Sequence, residues 1–123
     1  QAAYVYLSFD ADGMLTDVDY NSQIDPEASL ADNLARAEQD IATLCAPLNG
    51  LDISVATPDL LTPCSLSDEF KQAFLAGSLY EEISIKTEDE SIKSYYTFDT
   101  EPKEEFDEYT HPEIRLMLSA KKN

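Results

Sequence analysis

Ser8, Asp10, Asp12, Gly13, Met14 and Asp19 fall at the offsets of an EF-hand loop, with Leu15 at its usual apolar position. Calcium takes several carboxylate and carbonyl oxygens around one turn, and glycine permits the bend. Asp10, Asp12 and Asp19 are therefore candidate cation ligands. Against that reading, the first position is Ser8, the last is Asp19 rather than Glu, and both flanks alternate as strands do. An ordinary Asp/Gly turn explains the same residues, so no metal is assigned. The two cysteines, Cys45 and Cys64, have no CxxC neighbour, and the chain has one histidine, His111. A zinc site would need carboxylates for most of its ligands. A Cys–His nucleophile lacks the surrounding positive charge that lowers a thiol pKa. Paired carboxylates could serve glycoside hydrolysis, but with 25 acidic residues any such spacing arises by chance. None of these patterns specifies catalysis or a cofactor, and we read the chain as a binding protein rather than an enzyme.

Charge says more than motif. The formal net charge is -17 on 123 residues. The first 35 residues hold Asp10, Asp12, Asp17, Asp19, Asp25, Glu27 and Asp32 and no Lys or Arg. Such an excess repels nucleic acid and anionic membranes and speeds encounter with cationic proteins. A second acidic concentration lies between Glu81 and Glu108. Over Tyr95 to Tyr109, the aromatics Tyr95, Tyr96, Phe98, Phe106 and Tyr109 interleave with Asp99, Glu101, Glu104, Glu105, Asp107 and Glu108. Aromatic anchors supply interface energy and the surrounding charge sets encounter rate. The expected partner-binding residues are Glu104, Glu105, Phe106, Asp107, Glu108 and Tyr109, with the turn Glu88, Asp89 and Glu90 beside them. The competing explanation places half of these aromatics in the core and leaves the carboxylates as a solvated loop.

The elements that must position these residues can be read from periodicity. Residues 3 to 9 alternate Val5, Leu7 and Phe9 against Tyr4, Tyr6 and Ser8. Residues 14 to 20 alternate again, and the Asp10 to Gly13 turn between them predicts a hairpin. A long helix follows, with Asp25 as N-cap and Pro26 at its first position. Leu30, Leu34, Ala37, Ile41, Leu44 and Leu48 lie along one face, and Pro47 with Asn49-Gly50 ends it. Residues 51 to 56 predict a short strand with Leu51, Ile53 and Val55 inward. A second, shorter helix begins at Ser67, buries Phe70, Ala73 and Phe74, and stops near Gly77. The last third predicts strands through Ile83 and Ile85, through Ile92 to Phe98, and through Ile114, Leu116 and Leu118. The expected fold is a single α+β domain over residues 1 to 123, ordered β-β-α-β-α-β-β-β. Its antiparallel sheet packs against one long and one short helix.

Gln1-Ala2-Ala3 reads as a mature terminus after leader removal, which points to export to the periplasm. An even cysteine count fits one disulfide, Cys45 to Cys64, pinning the loop to the end of the long helix. No apolar stretch is long enough to span a bilayer, so no membrane insertion is expected. Free sheet edges allow a homodimer, although the charge opposes it.

An exported, strongly acidic, single-disulfide α+β chain of this length resembles the periplasmic immunity proteins that protect bacteria from peptidoglycan hydrolases delivered by type VI secretion. It most resembles the partners of spike-borne muramidase effectors. The Gly-rich motif of the periplasmic C-type lysozyme inhibitors is absent. The resemblance implies a basic hydrolase as partner and steric occlusion of its substrate cleft. Two other classes stay open: an acidic nucleic-acid mimic that inhibits a DNA- or RNA-binding enzyme, and a calcium-dependent surface module using the Asp10 to Asp19 turn.

Overall fold

Alternation in the first residues builds the hairpin on which the rest assembles. In the computed structural model, which describes residues 2–78, 83–88, 92–99 and 112–121, β1 (Ala3–Phe9) pairs antiparallel with β2 (Leu15–Gln23). The turn between them is closed by Asp10 and Gly13. The Asp10 carboxylate accepts from the Asp12 and Met14 amides at 2.9 and 3.0 Å. Gly13 takes φ +79, a value at which a Cβ would be strained. A bulge between Ser8 and Phe9 sets Phe9 opposite Leu15, although Ser8 is opposite Asp17.

The chain then runs through α1 (Leu30–Asn49), α2 (Asp68–Ala76), β3 (Ile83–Glu88), β4 (Ile92–Asp99) and β5 (Glu113–Ala120). All neighbouring strands are antiparallel in the order β1-β2-β5-β4-β3. The α+β architecture, the long and short helices and the Cys45–Cys64 disulfide follow the expectation. The cysteine Cα atoms stand 5.8 Å apart, a normal span for a bridge.

Three local readings are corrected. The strand expected over residues 51 to 56 shrinks to one parallel bridge, Leu15 with Val55. β5 occupies the edge of β2 from Asp17 to Gln23, which leaves the backbone of Leu15 to bond Ser54 and Ala56 at 2.9 and 2.8 Å. Ile53 and Val55 still pack against the core, whereas Leu51 is exposed rather than inward.

The long helix begins four residues later than expected, with Ser29 rather than Asp25 as N-cap. The Ser29 hydroxyl accepts from the Asp32 amide at 3.1 Å. Asp25 instead opens a turn closed by the Ala28 amide. The buried Asn33 amide clasps that turn, bonding both the N–H and the C=O of Asp25 at 2.8 and 2.9 Å. Pro47 does not end α1. It sits within the last turn, where its carbonyl accepts from Gly50.

The second helix starts as expected, with the Ser67 hydroxyl accepting from Phe70 N at 3.1 Å. Asp68 and Glu69 complement the helix dipole in its first turn. Phe70 and Phe74 stack with ring centroids 6.0 Å apart. Lys71 ties the two helices by pairing with Glu38 on α1 and Asp68 on α2.

The core lies between the helices and one face of the sheet. Val18 and Tyr20 from β2 and Ile114, Leu116 and Leu118 from β5 meet Leu34, Ala37, Ile41 and Leu48 of α1 and the phenylalanines of α2. Tyr20 is fully buried, and among the described residues nothing hydrogen-bonds its hydroxyl. Burial raises its pKa above the ordinary 10.0. An unsatisfied buried hydroxyl destabilises a fold by about 1 kcal/mol or more. Tyr20→Phe is expected to raise the melting temperature. Because the folded state holds the phenol neutral above the unfolded-state pKa, wild-type stability must fall as pH climbs past 10, and less so in the variant. Thermal melts from neutral to alkaline pH test both points, and a lower neutral melting temperature would contradict the first.

Candidate functional site

Residues that alternate away from the core build the other face of the sheet. Cross-strand register sorts them into rows. One row runs Ser8, Asp17, Ser119, Lys93, Glu88; the next runs Tyr6, Asp19, Met117, Tyr95, Lys86; the third runs Tyr4, Asn21, Arg115, Thr97, Ser84. In the third row the Arg115 guanidinium bonds Asn21 Oδ1 and, diagonally, Asp19 Oδ2, both at 2.9 Å. Burial alone would lower the Arg115 pKa, but the hydrogen bond and charge of Asp19, with Glu113 nearby, raise it overall. The Tyr4 hydroxyl donates to Glu113 Oε1 at 2.5 Å. Desolvation, then that bond, pushes the phenol well above its ordinary range. Ser119 Oγ donates to Asp17 Oδ1 at 2.6 Å, and Thr16 holds the other oxygen at 2.8 Å.

These bonds fix side chains and neutralise charge within the face. A Ser hydroxyl donating to a carboxylate is positioned but not activated, because a carboxylate is too weak a base to take its proton near neutral pH. Where the rows end, two shallow depressions share Lys93 and Ser119. One holds about 960 Å³ between Asp10, Thr16, Asp17, Ala56, Ala120 and Lys121. The other holds about 320 Å³ beside Lys86 and Met117. Tyr6 is 63 % exposed in the middle row. Tyr, Met and Arg are side-chain types favoured at protein interfaces.

The helical layer has a different electrostatic character. From residue 25 to residue 71 the acids are Asp25, Glu27, Asp32, Glu38, Asp40, Asp52, Asp59, Asp68 and Glu69, and the only bases are Arg36 and Lys71. Both bases are engaged within the chain. Arg36 bonds the Gln23 carbonyl at 2.8 Å and Asn33 at 2.9 Å. Lys71 pairs with Glu38 at 3.0 Å and Asp68 at 3.4 Å. Glu27, Asp32, Asp52, Asp59, Asp68 and Glu69 are exposed. This side projects an uncompensated negative field, whereas the sheet face carries Lys86, Lys93 and Arg115 among its acids.

Of the expected partner-binding residues, Glu88 ends β3 opposite Lys93. Asp89, Glu90, Glu104, Glu105, Phe106, Asp107, Glu108 and Tyr109 lie outside the described residues, as does His111. β4 takes the first part of the aromatic segment into the sheet, with Tyr96 opposite Leu116 and Tyr95 opposite Met117. The candidate calcium ligands are not brought together. Asp10 and Asp12 stay in the hairpin turn, whereas Asp19 lies within β2 opposite Tyr6, its carboxylate bonded to Arg115. Among the described residues no three metal-ligating side chains cluster. No helix among them is long and apolar enough to cross a membrane.

Sequence reading missed Arg115, Met117 and Ser119. The polar half of the β5 alternation, Glu113-Arg115-Met117-Ser119, was the available signal. No protein-family model matches the chain, and neither a curated protein nor a solved structure matches it.

Proposed function

We propose that this chain is a non-catalytic inhibitor that binds a basic protein through its acidic surface. The observation behind this reading is the charge imbalance of the helical layer, whose two cations are already held by intrachain contacts. A surface of that kind attracts a cationic partner at long range and disfavours polyanions. With the resemblance to type VI immunity proteins, the partner is a peptidoglycan hydrolase of muramidase type. Such enzymes work on an anionic wall, and a basic surface suits them to it. Inhibition is steric occlusion of the hydrolase cleft in the periplasm, and Glu88 to Glu90 with Glu104 to Tyr109 supply the contacting segment.

The test is binding kinetics against a basic muramidase over a range of salt. Association is expected to slow steeply as salt rises. The combined reversal Glu27→Lys, Asp52→Lys and Glu69→Lys should lower the association rate about tenfold at low salt, with little change in dissociation. Reversing Glu104, Glu105, Asp107 and Glu108 instead locates the contact on that segment if the loss is larger. Association insensitive to both salt and charge reversal would defeat the proposal.

A further inference from the structure

The two sulfurs of the Cys45–Cys64 bridge are unequally placed. Cys45, on α1, is fully buried, whereas Cys64 is partly exposed in the connection between the helices. Thiol–disulfide exchange needs a thiolate that can reach one sulfur and a second sulfur able to leave with the electron pair. Burial closes Cys45 to attack and makes Cys64 the point of entry. It also makes Cys45 a poor leaving group, because a thiolate held away from water is costly unless a donor meets it. That donor is present. Four residues along the helix, Asn49 Nδ2 stands 3.3 Å from Cys45 Sγ and 3.8 Å from Cys64 Sγ. The same nitrogen donates to the Leu61 and Cys45 carbonyls at 3.1 and 3.3 Å. Those bonds hold the amide of an otherwise exposed residue against the bridge.

We propose that Cys64 Sγ is a thiol-exchange site through which a dithiol reductant opens the bridge, with Asn49 assisting the departure of Cys45. A thiolate of the reductant attacks Cys64 Sγ and forms a mixed disulfide there. The bond between Cys64 and Cys45 breaks, and its electron pair leaves on Cys45 Sγ, to which Asn49 Nδ2 donates. The second thiolate of the reductant then attacks its own sulfur in the mixed disulfide and expels Cys64. Two electrons pass to the bridge and the reductant becomes a disulfide. The two protons it gives up end on Cys45 and Cys64. Leu60 and Leu66, buried on either side of Cys64 in the sequence, keep the opened thiols near each other, so the exchange is reversible and the fold outlasts it. What loosens is the path from the long helix to the bridge at Val55, which meets the hairpin at Leu15.

Glutathione, a single thiol that cannot complete the second step, traps the intermediate. After exchange with the oxidised protein and a quench with N-ethylmaleimide, peptide mass spectrometry should place glutathione on Cys64 and the maleimide on Cys45. Reduction by dithiothreitol should be first order in thiol, and Asn49→Ala should slow it about fivefold. A purely structural Asn49 gives the opposite sign, because losing its bond to Leu61 frees the connection and speeds attack. The covalent bridge is intact in this variant until it reacts, so the measurement starts from a folded protein. Glutathione on Cys45, or shared evenly between the two, would overturn the exchange site. So would a rate independent of thiol concentration, the mark of reduction through unfolding. A rate unchanged or raised in Asn49→Ala would overturn the part assigned to Asn49.

Discussion

Replacing Cys45 and Cys64 together by alanine is expected to destabilise the protein by about 3 kcal/mol, the loop-closure value for the 19-residue separation the bridge spans. For a chain of this length the loss corresponds to roughly 10 °C in melting temperature. The bridge matters because the connection it closes has little regular structure of its own. Between α1 and α2 the chain is held by the single bridge at Val55, by the buried Leu60 and Leu66, and by the Asn49 amide reaching the Leu61 carbonyl at 3.1 Å. Calorimetry of the oxidised, reduced and double-alanine proteins measures the effect. Exchange at the Leu15 and Ala56 amides shows whether the connection opens first. A shift below about 2 °C would mean that Asn49 and the buried leucines hold the connection without the bridge.

Arg115→Met is expected to cost about 2 kcal/mol, because it removes the bonds of two groups at once. Asp19 has a side chain 17 % exposed and would retain its charge without its cation. Asn21, 1 % exposed, would lose the donor to its carbonyl oxygen. Methionine keeps most of the hydrophobic stem, so the loss reports the guanidinium rather than packing. Arg115→Lys should recover only part of it, since an ammonium lacks the planar fork that reaches Asp19 and Asn21 together. Adding Asp19→Asn to Arg115→Met should restore stability relative to the single variant, giving a coupling energy of about 1 kcal/mol. Urea unfolding of the four proteins completes the cycle. Strictly additive effects would show that the pair is solvated and contributes nothing to stability.

Local chemistry explains which parts of this architecture were legible beforehand. The start of the second helix at Ser67 is legible because a hydroxyl, two acids and an apolar pair follow in one uninterrupted signal. The start of the long helix was misread because Asp25 and Ser29 are both competent caps. The choice between them is made by Asn33, whose buried amide binds Asp25 into a turn. Residues 51 to 56 alternate as a strand should, but alternation does not reveal whether an edge is vacant, and β5 has already filled β2 from Asp17 to Gln23, leaving the single bridge at Leu15. The rows on the sheet face were hidden for a related reason. Arg115 reaches partners 94 and 96 residues away, and no periodicity within one strand encodes such a distance. Of the acidic helical layer, Asp25, Glu27 and Asp32 belong to the acidic run legible at the start of the sequence, whereas its continuation through Asp52, Asp59 and Glu69 and the engagement of Arg36 and Lys71 are properties of the fold.

The strand order β1-β2-β5-β4-β3 also determines when the sheet can be completed. β2, in the first quarter of the sequence, finds its inner neighbour only in β5, within the last residues. Closing that loop is paid for before any contact rewards it, and topologies dominated by such pairings fold in milliseconds to seconds rather than microseconds. Until β5 arrives, β2 has one unpaired edge, from Asp17 to Gln23, and Val18 and Tyr20 lack Leu116 and Leu118 beside them. The first hairpin and both helices therefore stay in an unfinished state until β5 docks, and folding becomes cooperative at that moment.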